Sequence, residues 1–493
     1  MESASKSKRW LLTLIIIAAV VIASAAIIYS YRDAPGKLPV SAVSDGSNGI
    51  IVAWQKDEGI YAQRVDLSGQ VQWQRGGVLI CECPPGSGFD LQPDGQGGAV
   101  ITWNDRSDIS DDHDAPTYFD PVPFHAQRLS ASGELLWSDT LVSAGRKWQL
   151  VPDGTGGAIF AWDDYKTYYK GLHNDYLRLQ KIAPDGTRPW GGEGRLIVAS
   201  SPFRPVTPEE EASGVKGIAT RSWPTYEGTH FIVTDGAGGV IVLWEEYNGG
   251  GGDRVYAQRL YGEGNYVWPD KVDTTATMLL SAESDGEGGV KIGTPQQTDT
   301  PAGMVKAYAH ISGDGEVSPA SEWVYRDTSV QTVLGGSFRV RVEEDPPSGN
   351  PMERRTIIYL QKLDEAGEAM WPEKRIINPP EKVQLRNISY LSDGDDGAII
   401  VWQLQKDSLP YGNIMAQRLD SSGVLRWGEG GMPVFDIPGT KYQSGVTTLS
   451  DGSGGIIVMA VLGENGLSGD MVYAQQLDIN GNRLWGGGVR IDR

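Results

Sequence analysis

Short apolar stretches alternate with glycine-rich turns along most of the chain. In one clear example, Phe231-Ile232-Val233 runs into the turn Asp235-Gly236, and a second apolar stretch from Val240 ends at Trp244. Asp-Gly supplies the positive φ angles of tight turns, and Val, Ile and Trp favour a half-buried strand. The pattern therefore predicts antiparallel strand pairs. Turns of this kind begin at Asp45, Asp94, Asp153, Asp235, Asp285, Asp393 and Asp451.

These turns mark a repeat with a mean spacing of about 58 residues, if a degenerate copy at Gly335-Gly336 is included. In each complete copy a third strand follows, such as Tyr256 to Leu260, and a further tight turn leads to a fourth. Eight copies of four short strands, with no convincing amphipathic helix, predict an all-β fold, an eight-bladed β-propeller of four-stranded antiparallel blades. The blades are expected at about 38–85, 86–143, 146–200, 228–275, 277–326, 329–378, 383–436 and 442–493.

Two sets of recurrent residues are interpreted as scaffold, because an active site is normally singular. A tryptophan at one fixed place per blade can bury about 200 Å² against the next blade. This blade-docking role is assigned to Trp73, Trp137, Trp190, Trp268, Trp323, Trp371, Trp427 and Trp485. A Gln-Arg pair in the third strand is expected to form hydrogen bonds between strands or blades, at Gln63/Arg64, Gln127/Arg128, Gln258/Arg259 and Gln417/Arg418.

The N-terminal region lies outside the repeat. Basic residues precede a nearly uninterrupted apolar run at 10–29, long enough to span the roughly 30 Å hydrocarbon core of a membrane. The predicted segments are a cytoplasmic N-terminus at 1–9, a transmembrane signal-anchor helix at 10–29, a linker at 30–37 and the propeller at 38–493. A signal peptide cleaved near Ala23-Ser24-Ala25 is the alternative. Both interpretations place the propeller outside the cytoplasm, at the cell surface or in the periplasm.

Charge and cysteine content exclude several classes of function. The chain carries 43 Lys and Arg against 63 Asp and Glu, a net charge of −20, which makes it a poor nucleic-acid binder. Its two cysteines, Cys81 and Cys83, are too few for a disulfide scaffold or a zinc site, and they are expected to be structural or locally paired thiols. No metal site and no cofactor are predicted. The aspartates of the loop around Asp105 to Asp114 lack the arrangement of a calcium loop.

The segment from Leu419 to Trp427 resembles the tryptophan-docking repeat of pyrroloquinoline-quinone-type propellers. That family is mostly eight-bladed, and its Asp, Gly and Trp correspond to Asp420, Gly423 and Trp427, although the Asp-to-Gly turn is one residue shorter here. The resemblance implies two different functions, a quinone-dependent dehydrogenase or a cofactor-free scaffold. A quinoprotein would need adjacent cysteines and calcium ligands, and Cys81 and Cys83 are not adjacent.

The insertions of the repeat are expected on one face of the predicted propeller, where variable loops usually bind. They lie at 104–123, 163–175, 201–227 and 343–355. Within them, the candidate binding residues are Trp223, Tyr226, Arg221, Tyr165, Tyr168, Tyr169 and His173. Trp223 lies outside the blade pattern, and the tyrosines could stack on sugar rings or on a partner protein. Packing of the same tyrosines onto the propeller is the alternative.

The sequence therefore favours a non-catalytic, membrane-anchored propeller that serves as a binding or assembly scaffold for a protein or glycan partner. No catalytic residue is assigned. The alternative is a propeller enzyme, either like a quinoprotein dehydrogenase or carbohydrate-active. A glycosidase with paired carboxylates is compatible with the many acidic residues, whose separations a sequence does not give.

Overall fold

The computed structural model describes most of the chain from Val40 onward. The described residues are 40–47, 49–57, 59–84, 87–104, 122–138, 141–169, 172–199, 204–205, 218–219, 225–247, 253–297, 304–324, 329–331, 337–345, 355–364, 369–377, 383–406, 412–440, 442–463 and 471–493. The chain forms two compact units. Unit 1 comprises Met1–Gly86 with Arg326–Arg493, and unit 2 comprises Ser87–Tyr325.

The described residues form strands in the following order. The first four are β1 (Val40–Ser44), β2 (Ile50–Lys56), β3 (Gly59–Val65) and β4 (Val78–Glu82). Unit 2 contributes β5 (Phe89–Pro93), β6 (Ala99–Asn104), β7 (Val122–Leu129), β8 (Leu141–Pro152), β9 (Ala158–Tyr169), β10 (Leu172–Ile182), β11 (Arg195–Ala199), β12 (Arg204–Pro205), β13 (Ile218–Ala219), β14 (Thr225–Thr234), β15 (Val240–Tyr247), β16 (Asp253–Leu260), β17 (Val272–Asp273), β18 (Ser281–Ser284), β19 (Val290–Gln297), β20 (Met304–Ile311) and β21 (Val317–Val324). Unit 1 resumes with β22 (Ser329–Gln331), β23 (Ser337–Asp345), β24 (Arg355–Leu363), β25 (Lys374–Ile377), β26 (Val383–Ser392), β27 (Ala398–Lys406), β28 (Ile414–Leu419), β29 (Met432–Pro433), β30 (Tyr442–Ser450), β31 (Ile456–Gly463), β32 (Met471–Leu477) and β33 (Val489–Arg490).

These strands form antiparallel meanders, in which each strand pairs with its neighbours in sequence. We number the sheets by repeat: sheet 1 is β1–β4, sheet 2 is β5–β8, sheet 3 is β8–β11, sheet 4 is β14–β17, sheet 5 is β18–β21, sheet 6 is β22–β25, sheet 7 is β26–β29 and sheet 8 is β30–β33. Strands β12 and β13 form a separate pair. The predicted all-β class with sheets of antiparallel strands is confirmed for the described residues, although sheets 2 and 3 form one sheet of seven strands.

The turn between the first two strands of a sheet is built around its aspartate. Asp235 Oδ1 accepts hydrogen bonds from the backbone N–H groups of Ala237 and Gly239, both at 2.8 Å. Its other oxygen, Oδ2, pairs with Arg259 of the third strand at 3.1 Å. Arg259 also donates to the carbonyl of Gly313 in sheet 5, at 2.9 Å. One ion pair therefore joins a turn to the third strand of its own sheet and to the next sheet.

Unit 1 contains sheets 6, 7, 8 and 1, and each packs against the next through buried Val, Ile, Leu and Trp side chains. The indole of Trp427 donates to the Ile479 carbonyl in sheet 8 at 3.1 Å, and that of Trp485 donates to the Leu67 carbonyl in sheet 1 at 3.0 Å. The last sheet of the chain thus lies against the first. Each of the two consists of consecutive strands, so no strand is exchanged between them.

Unit 2 contains sheets 2 to 5, and two of them share a strand. The first part of β8, Leu141 to Gly145, pairs with β7, and the part from Arg146 onward pairs with β9. The expected boundary between the second and third blades, at 143–146, falls inside this strand. Indole hydrogen bonds again link successive sheets, from Trp137 to Pro184, from Trp190 to Gly262 and from Trp268 to Gly313.

The N-terminal expectations concern residues that the structure does not describe. Residues 1–39, with the predicted transmembrane helix at 10–29, lie outside the described ranges. Within those ranges, no helix is long and apolar enough to cross a membrane. Cys81 and Cys83, for which the sequence left the pairing open, form a disulfide with each other.

Candidate functional site

One position of the repeat, directly after the tryptophan that closes the second strand, usually binds backbone. Gln55 donates to the Pro84 carbonyl at 2.7 Å, and Gln403 donates to the Gln443 carbonyl in sheet 8. Glu245 accepts a hydrogen bond from the Leu279 N–H at 2.6 Å. These contacts fasten a sheet to a later segment. In sheet 3 this position is Asp163, and its partners are side chains instead.

Asp163 of β9 forms a buried cluster with Tyr226 and His230 of β14. The Tyr226 hydroxyl donates to Asp163 Oδ1 and lies 2.9 Å from His230 Nδ1. His230 Nδ1 is itself 3.0 Å from Asp163 Oδ1. The exposed fractions of the three residues are 1%, 0% and 3%. A carboxylate, a phenol and an imidazole therefore meet in a site that excludes water.

The hydrogen bonds of the cluster determine how we assign its protons. Tyr226 uses its single proton toward Asp163, so its oxygen accepts from His230, and we place a proton on Nδ1. In the neutral ring Nε2 then carries a lone pair, as in a histidine base oriented by a carboxylate. Within the described part of the chain, His230 Nε2 and Asp163 Oδ2 are buried without a hydrogen-bond partner. An unpaired buried polar atom costs about 1–3 kcal/mol, so the cluster is less stable than one in which every atom has a partner.

Two local features bring Tyr226 and His230 to the same face of sheet 4. The β14–β15 register shifts between them, so Tyr226 is opposite Glu246 and His230 is opposite Trp244. Gln149 of sheet 3 fixes the backbone beside the imidazole. Its Nε2 donates to the His230 carbonyl at 2.8 Å, and its Oε1 accepts from the Ile232 N–H at 3.1 Å.

Lys147 lies at the edge of the cluster. Its Nζ is 3.9 Å from Asp163 Oδ2, and 48% of its side chain is exposed. It occupies a bulge where the β8–β9 register shifts between Arg146 and Gln149, and its φ of 48° lies in the left-handed region. The cluster thus has a half-exposed cation beside its buried carboxylate.

A second buried carboxylate, that of Glu246, is fully paired. It accepts hydrogen bonds from the Trp244 indole at 2.7 Å and from Lys271 Nζ at 2.8 and 2.6 Å. Lys271 Nζ also lies 3.7 Å from the centre of the Tyr256 ring. This group is a satisfied ion pair that stabilises the β15–β17 side of the sheet. Within the described residues, both oxygens of the Glu246 carboxylate already accept hydrogen bonds.

The structure places the predicted binding residues in different settings. Tyr226 is fully buried and belongs to the cluster, whereas Arg221 and Trp223 lie outside the described residues. Tyr165, Tyr168 and Tyr169 are on β9, and His173 is on β10, opposite Thr167 in the register. The acidic loop at 105–114 also lies outside the described residues. In the described ranges, no group of three or more His, Cys, Asp or Glu is arranged to hold a metal ion.

Asp163 and His230 were not candidates on sequence grounds. The available signal was that the repeat position occupied by Gln55 and Gln403 holds an aspartate in sheet 3. The role of His230 depends on a register shift and on contact between two sheets, and neither can be read from a single strand.

Comparisons with known proteins identify similar folds. No family model matches the chain, and no curated protein is significantly similar to it. Among solved structures, a GH93 α-L-arabinofuranosidase of Fusarium graminearum with arabinobiose is 9% identical over 80% of this chain and 96% of that one, with a TM-score of 0.31. The β-propeller domain of the Trilobed protease from Pyrococcus furiosus is 8% identical over 80% and 95%, with a TM-score of 0.36. Prolyl oligopeptidase B from Galerina marginata is 10% identical over 83% and 51%, with a TM-score of 0.37.

These findings correct one functional prediction. The proteins named are an arabinofuranosidase, a protease domain and an oligopeptidase. The comparison therefore contradicts the prediction of a non-catalytic binding or assembly scaffold. The similarity is one of fold and assigns no reaction to this chain. The more specific resemblance to quinone-type repeats receives no support, since none of the three is described as a quinoprotein.

Proposed function

We propose that the chain is a carbohydrate-active propeller enzyme whose general base is His230, oriented by Asp163. The proposal depends on one observation, the buried cluster in which His230 Nε2 keeps a lone pair without a hydrogen-bond partner in the described part of the chain. Asp163 occupies the repeat position at which Gln55, Glu245 and Gln403 bind the backbone of a later segment. Proton transfer by a positioned histidine accelerates a reaction by about 10²–10⁴-fold.

The carbohydrate part of the proposal is supported by the tyrosines that follow Asp163 along β9. Tyr165, Tyr168 and Tyr169 come within six residues of it on the same strand, and β10 carries His173 alongside. Aromatic rings offer broad, rigid surfaces on which sugar rings can stack. We propose that these residues, with Trp223 and Arg221, bind the sugar next to the base.

Glycan cleavage by single-site variants of the full-length protein tests the proposal. The purified chain is incubated with a panel of neutral and acidic polysaccharides, and new reducing ends are counted over time. His230→Gln and Asp163→Asn are each expected to lower the rate at least about 10²-fold, because they remove the base or the group that orients it. Circular dichroism and melting temperature establish that each variant is folded.

The matched control is Glu245→Gln, which makes the same carboxylate-to-amide change at the same repeat position one sheet further on. Because Glu245 contacts only backbone in the described structure, this variant is expected to keep the activity of the parent protein. Equal losses in Asp163→Asn and Glu245→Gln would assign Asp163 a structural role. The absence of cleavage of every glycan by the folded parent protein would refute the proposed function.

We also propose that the eight repeats close into one ring of eight blades. Support comes from unit 1, where Trp485 of the last repeat binds the Leu67 carbonyl of the first, as ring closure would require. Class averages from electron microscopy, viewed down the ring axis, would count the blades. Seven or nine blades, or an open arc, would contradict the proposal.

We propose further that residues 10–29 anchor the protein in a membrane, with the propeller on the extracytoplasmic side. The support is the apolar run and its basic flank. Carbonate extraction of membranes and N-terminal sequencing test the anchor. A mature protein that begins near Ala26 would instead show a cleaved signal peptide.

A further inference from the structure

In the sheets whose first turn holds an aspartate, one side chain of the third strand pairs with that aspartate. In sheet 4 this is Arg259, which lies opposite Ile241, the sixth residue after the turn aspartate. In sheet 5 it is His310, which lies opposite Lys291, again the sixth. A histidine thus stands in sheet 5 where most sheets have a permanent cation. The equivalent residues of other sheets are Arg64, Arg128, Lys181, Arg418 and Gln476, paired with Asp45, Asp94, Asp153, Asp393 and Asp451.

The contact between His310 and Asp285 is open to solvent. His310 Nε2 lies 2.8 Å from Asp285 Oδ2, and the exposed fractions of the two side chains are 38% and 12%. The equivalent aspartates of sheets 4 and 7 are 1% and 0% exposed. Arginine and lysine stay charged throughout the neutral range, whereas histidine changes its charge between about pH 5 and 8. The pair in sheet 5 is therefore placed to exchange protons with the surrounding solution.

Further charged groups lie in the same cross-strand row as His310. Lys291 lies opposite Glu283 of β18 and opposite His310 of β20, and the row ends at the uncharged Ser318 of β21. Side chains directly opposite one another in antiparallel strands share one face of the sheet. In sheet 4 the first two members of the equivalent row are apolar and buried. Sheet 5 therefore has charged groups where sheet 4 has a buried apolar pair.

The turn of Asp285 also takes part in the contact between sheets 4 and 5. Arg259 of sheet 4 packs against it so closely that a Cβ on Gly288 would lie 2.7 Å from Nη1. The same guanidinium and the Trp268 indole donate to the Gly313 carbonyl, at 2.9 and 3.1 Å. If the turn loosens, the contact with sheet 4 loosens with it.

Several features make sheet 5 easier to open than sheet 4. Its first strand, β18, pairs with β19 through four residues, whereas β14 pairs with β15 through seven. In sheet 4, Trp244 lies opposite Tyr256. Two small residues, Thr294 and Ala307, hold the equivalent positions in sheet 5. In the described part of the chain, Ser281 Oγ and Thr294 Oγ1 are buried without a hydrogen-bond partner. Each of these features lowers the free energy needed to open the sheet locally.

We propose that the His310–Asp285 pair is a pH-sensitive contact that holds the hairpin β18–β19 closed in mildly acidic solution and releases it as the pH rises. A protonated imidazole and a carboxylate form a charge-assisted hydrogen bond, about twice as strong as a neutral one. The neutral imidazole can still donate from Nε2, but it lacks the charge. The stabilisation is therefore present at the lower pH and is lost as the pH rises through the range of histidine. This inference is independent of the proposed catalytic role of His230.

The carboxylate of the pair stays ionised across this range. Burial raises the pKa of Asp285, but the hydrogen bond and charge of His310 and the backbone N–H groups of Glu287 and Gly289 outweigh it, so that the pKa lies below the ordinary value of 3.8. His310 is therefore the member of the pair whose charge changes near neutrality.

Amide hydrogen exchange of the full-length chain, followed by mass spectrometry and corrected for the intrinsic pH dependence of exchange, tests the proposal. Between about pH 5.5 and about pH 7.5, protection of peptides from β18 and β19 is expected to fall about 2- to 5-fold, the range of a partly exposed ion pair. Peptides from β26 and β27, where Arg418 pairs with Asp393, are expected not to change. They also show that each sample is folded.

Two variants of His310 separate its charge from its shape. His310→Arg is expected to keep the higher protection at both pH values, because its charge does not change. His310→Gln, which installs the residue of sheet 8, is expected to give the lower protection at both. His125→Gln is the matched control, because it removes a histidine from the third strand of sheet 2. It is expected to leave the pH dependence of β18–β19 as in the parent protein.

Three results would overturn the proposal. The first is equal protection of β18–β19 at the two pH values in the parent protein. The second is a pH dependence that persists in His310→Arg, because another group, such as the buried His230, would then be responsible. The third is a pH dependence that disappears in His125→Gln.

Discussion

At the residue scale, Asp153 stabilises the first hairpin of sheet 3 as a charged group. Burial raises the pKa of Asp153, but hydrogen bonds from Thr155 and the charge and hydrogen bond of Lys181 outweigh it, so the pKa lies below the ordinary value of 3.8. A carboxyl group whose pKa is lower in the folded state stabilises the protein above its unfolded pKa. That stabilisation is lost as the pH falls through the folded pKa.

Replacement of this carboxylate should show the corresponding pH dependence. Asp153→Asn is expected to lower the free energy of unfolding by about 1–3 kcal/mol near neutral pH, because Thr155 and Lys181 lose their hydrogen bonds to the carboxylate. The deficit should shrink as the pH is lowered through the acid range, where Asp153 becomes protonated in the parent protein. Urea unfolding at a series of pH values measures it. A deficit that does not change with pH would contradict the charged role.

The glycine that directly precedes the second strand of a sheet is required because a side chain there would have no room. A Cβ at Gly239 would overlap the Leu260 carbonyl oxygen and the carboxylate of Asp235, whereas one at Gly192 would meet nothing within 4 Å. Gly239→Ala is therefore expected to lower the free energy of unfolding by at least about 2 kcal/mol. Gly192→Ala should be neutral or slightly stabilising. Equal effects in denaturant titrations would argue against the steric explanation.

At the scale of elements, the indole at the end of six of the described repeats donates a hydrogen bond to the next sheet. Trp427 lies against Gly481 and donates to the Ile479 carbonyl at 3.1 Å, and it is 5% exposed. Trp371 makes the equivalent contact with the Ser421 carbonyl at 3.4 Å and is less buried. Contact between sheets therefore differs in strength along unit 1.

Truncation of the two tryptophans should reveal this difference. Trp427→Ala is expected to cost about 3–5 kcal/mol, the usual range for a buried tryptophan, and Trp371→Ala clearly less. Calorimetric or denaturant unfolding of both variants measures the difference. A larger loss at Trp371 would show that burial does not determine the strength of these contacts.

The sequence predicted the local elements well and the contacts between them poorly. Hairpin positions followed from Asp-Gly turns, since the conformations they need are set by adjacent residues. The continuous strand β8 was expected as two separate strands, because strand pairing depends on partners distant in sequence. Asp163 and His230 were missed for the same reason. They are 67 residues apart in sequence, and a register shift in β14 places His230 against sheet 3.

The two ends of the propeller sequence, at the scale of the molecule, meet within unit 1. Asp492 Oδ1 accepts hydrogen bonds from the Val472 N–H at 3.3 Å and from Arg490 Nε at 2.9 Å, while Oδ2 pairs with Lys56 of sheet 1. The backbone N–H of Gly76 donates to the carbonyl of Arg493. The C-terminal residues therefore hold the last sheet to the first.

Removal of the Asp492 carboxylate should weaken this connection. Asp492→Ala is expected to lower the free energy of unfolding by about 1–3 kcal/mol, because buried partners lose their hydrogen bonds. Limited proteolysis should cut near the C-terminus faster than in the parent protein. Lys56→Gln, which removes only the half-exposed partner, should cost less than about 1 kcal/mol. Unchanged proteolysis in Asp492→Ala would contradict the proposed connection.

The strand shared by sheets 2 and 3 has a consequence for how motion spreads through unit 2. Because β8 changes partner from β7 to β9 at Arg146, neither sheet can open at this strand without disturbing the other, and the two should exchange their amide hydrogens as one cooperative unit. Lys147 lies at the point of that change. A change that loosened β9 would then speed exchange in β7, a strand with which β9 does not pair.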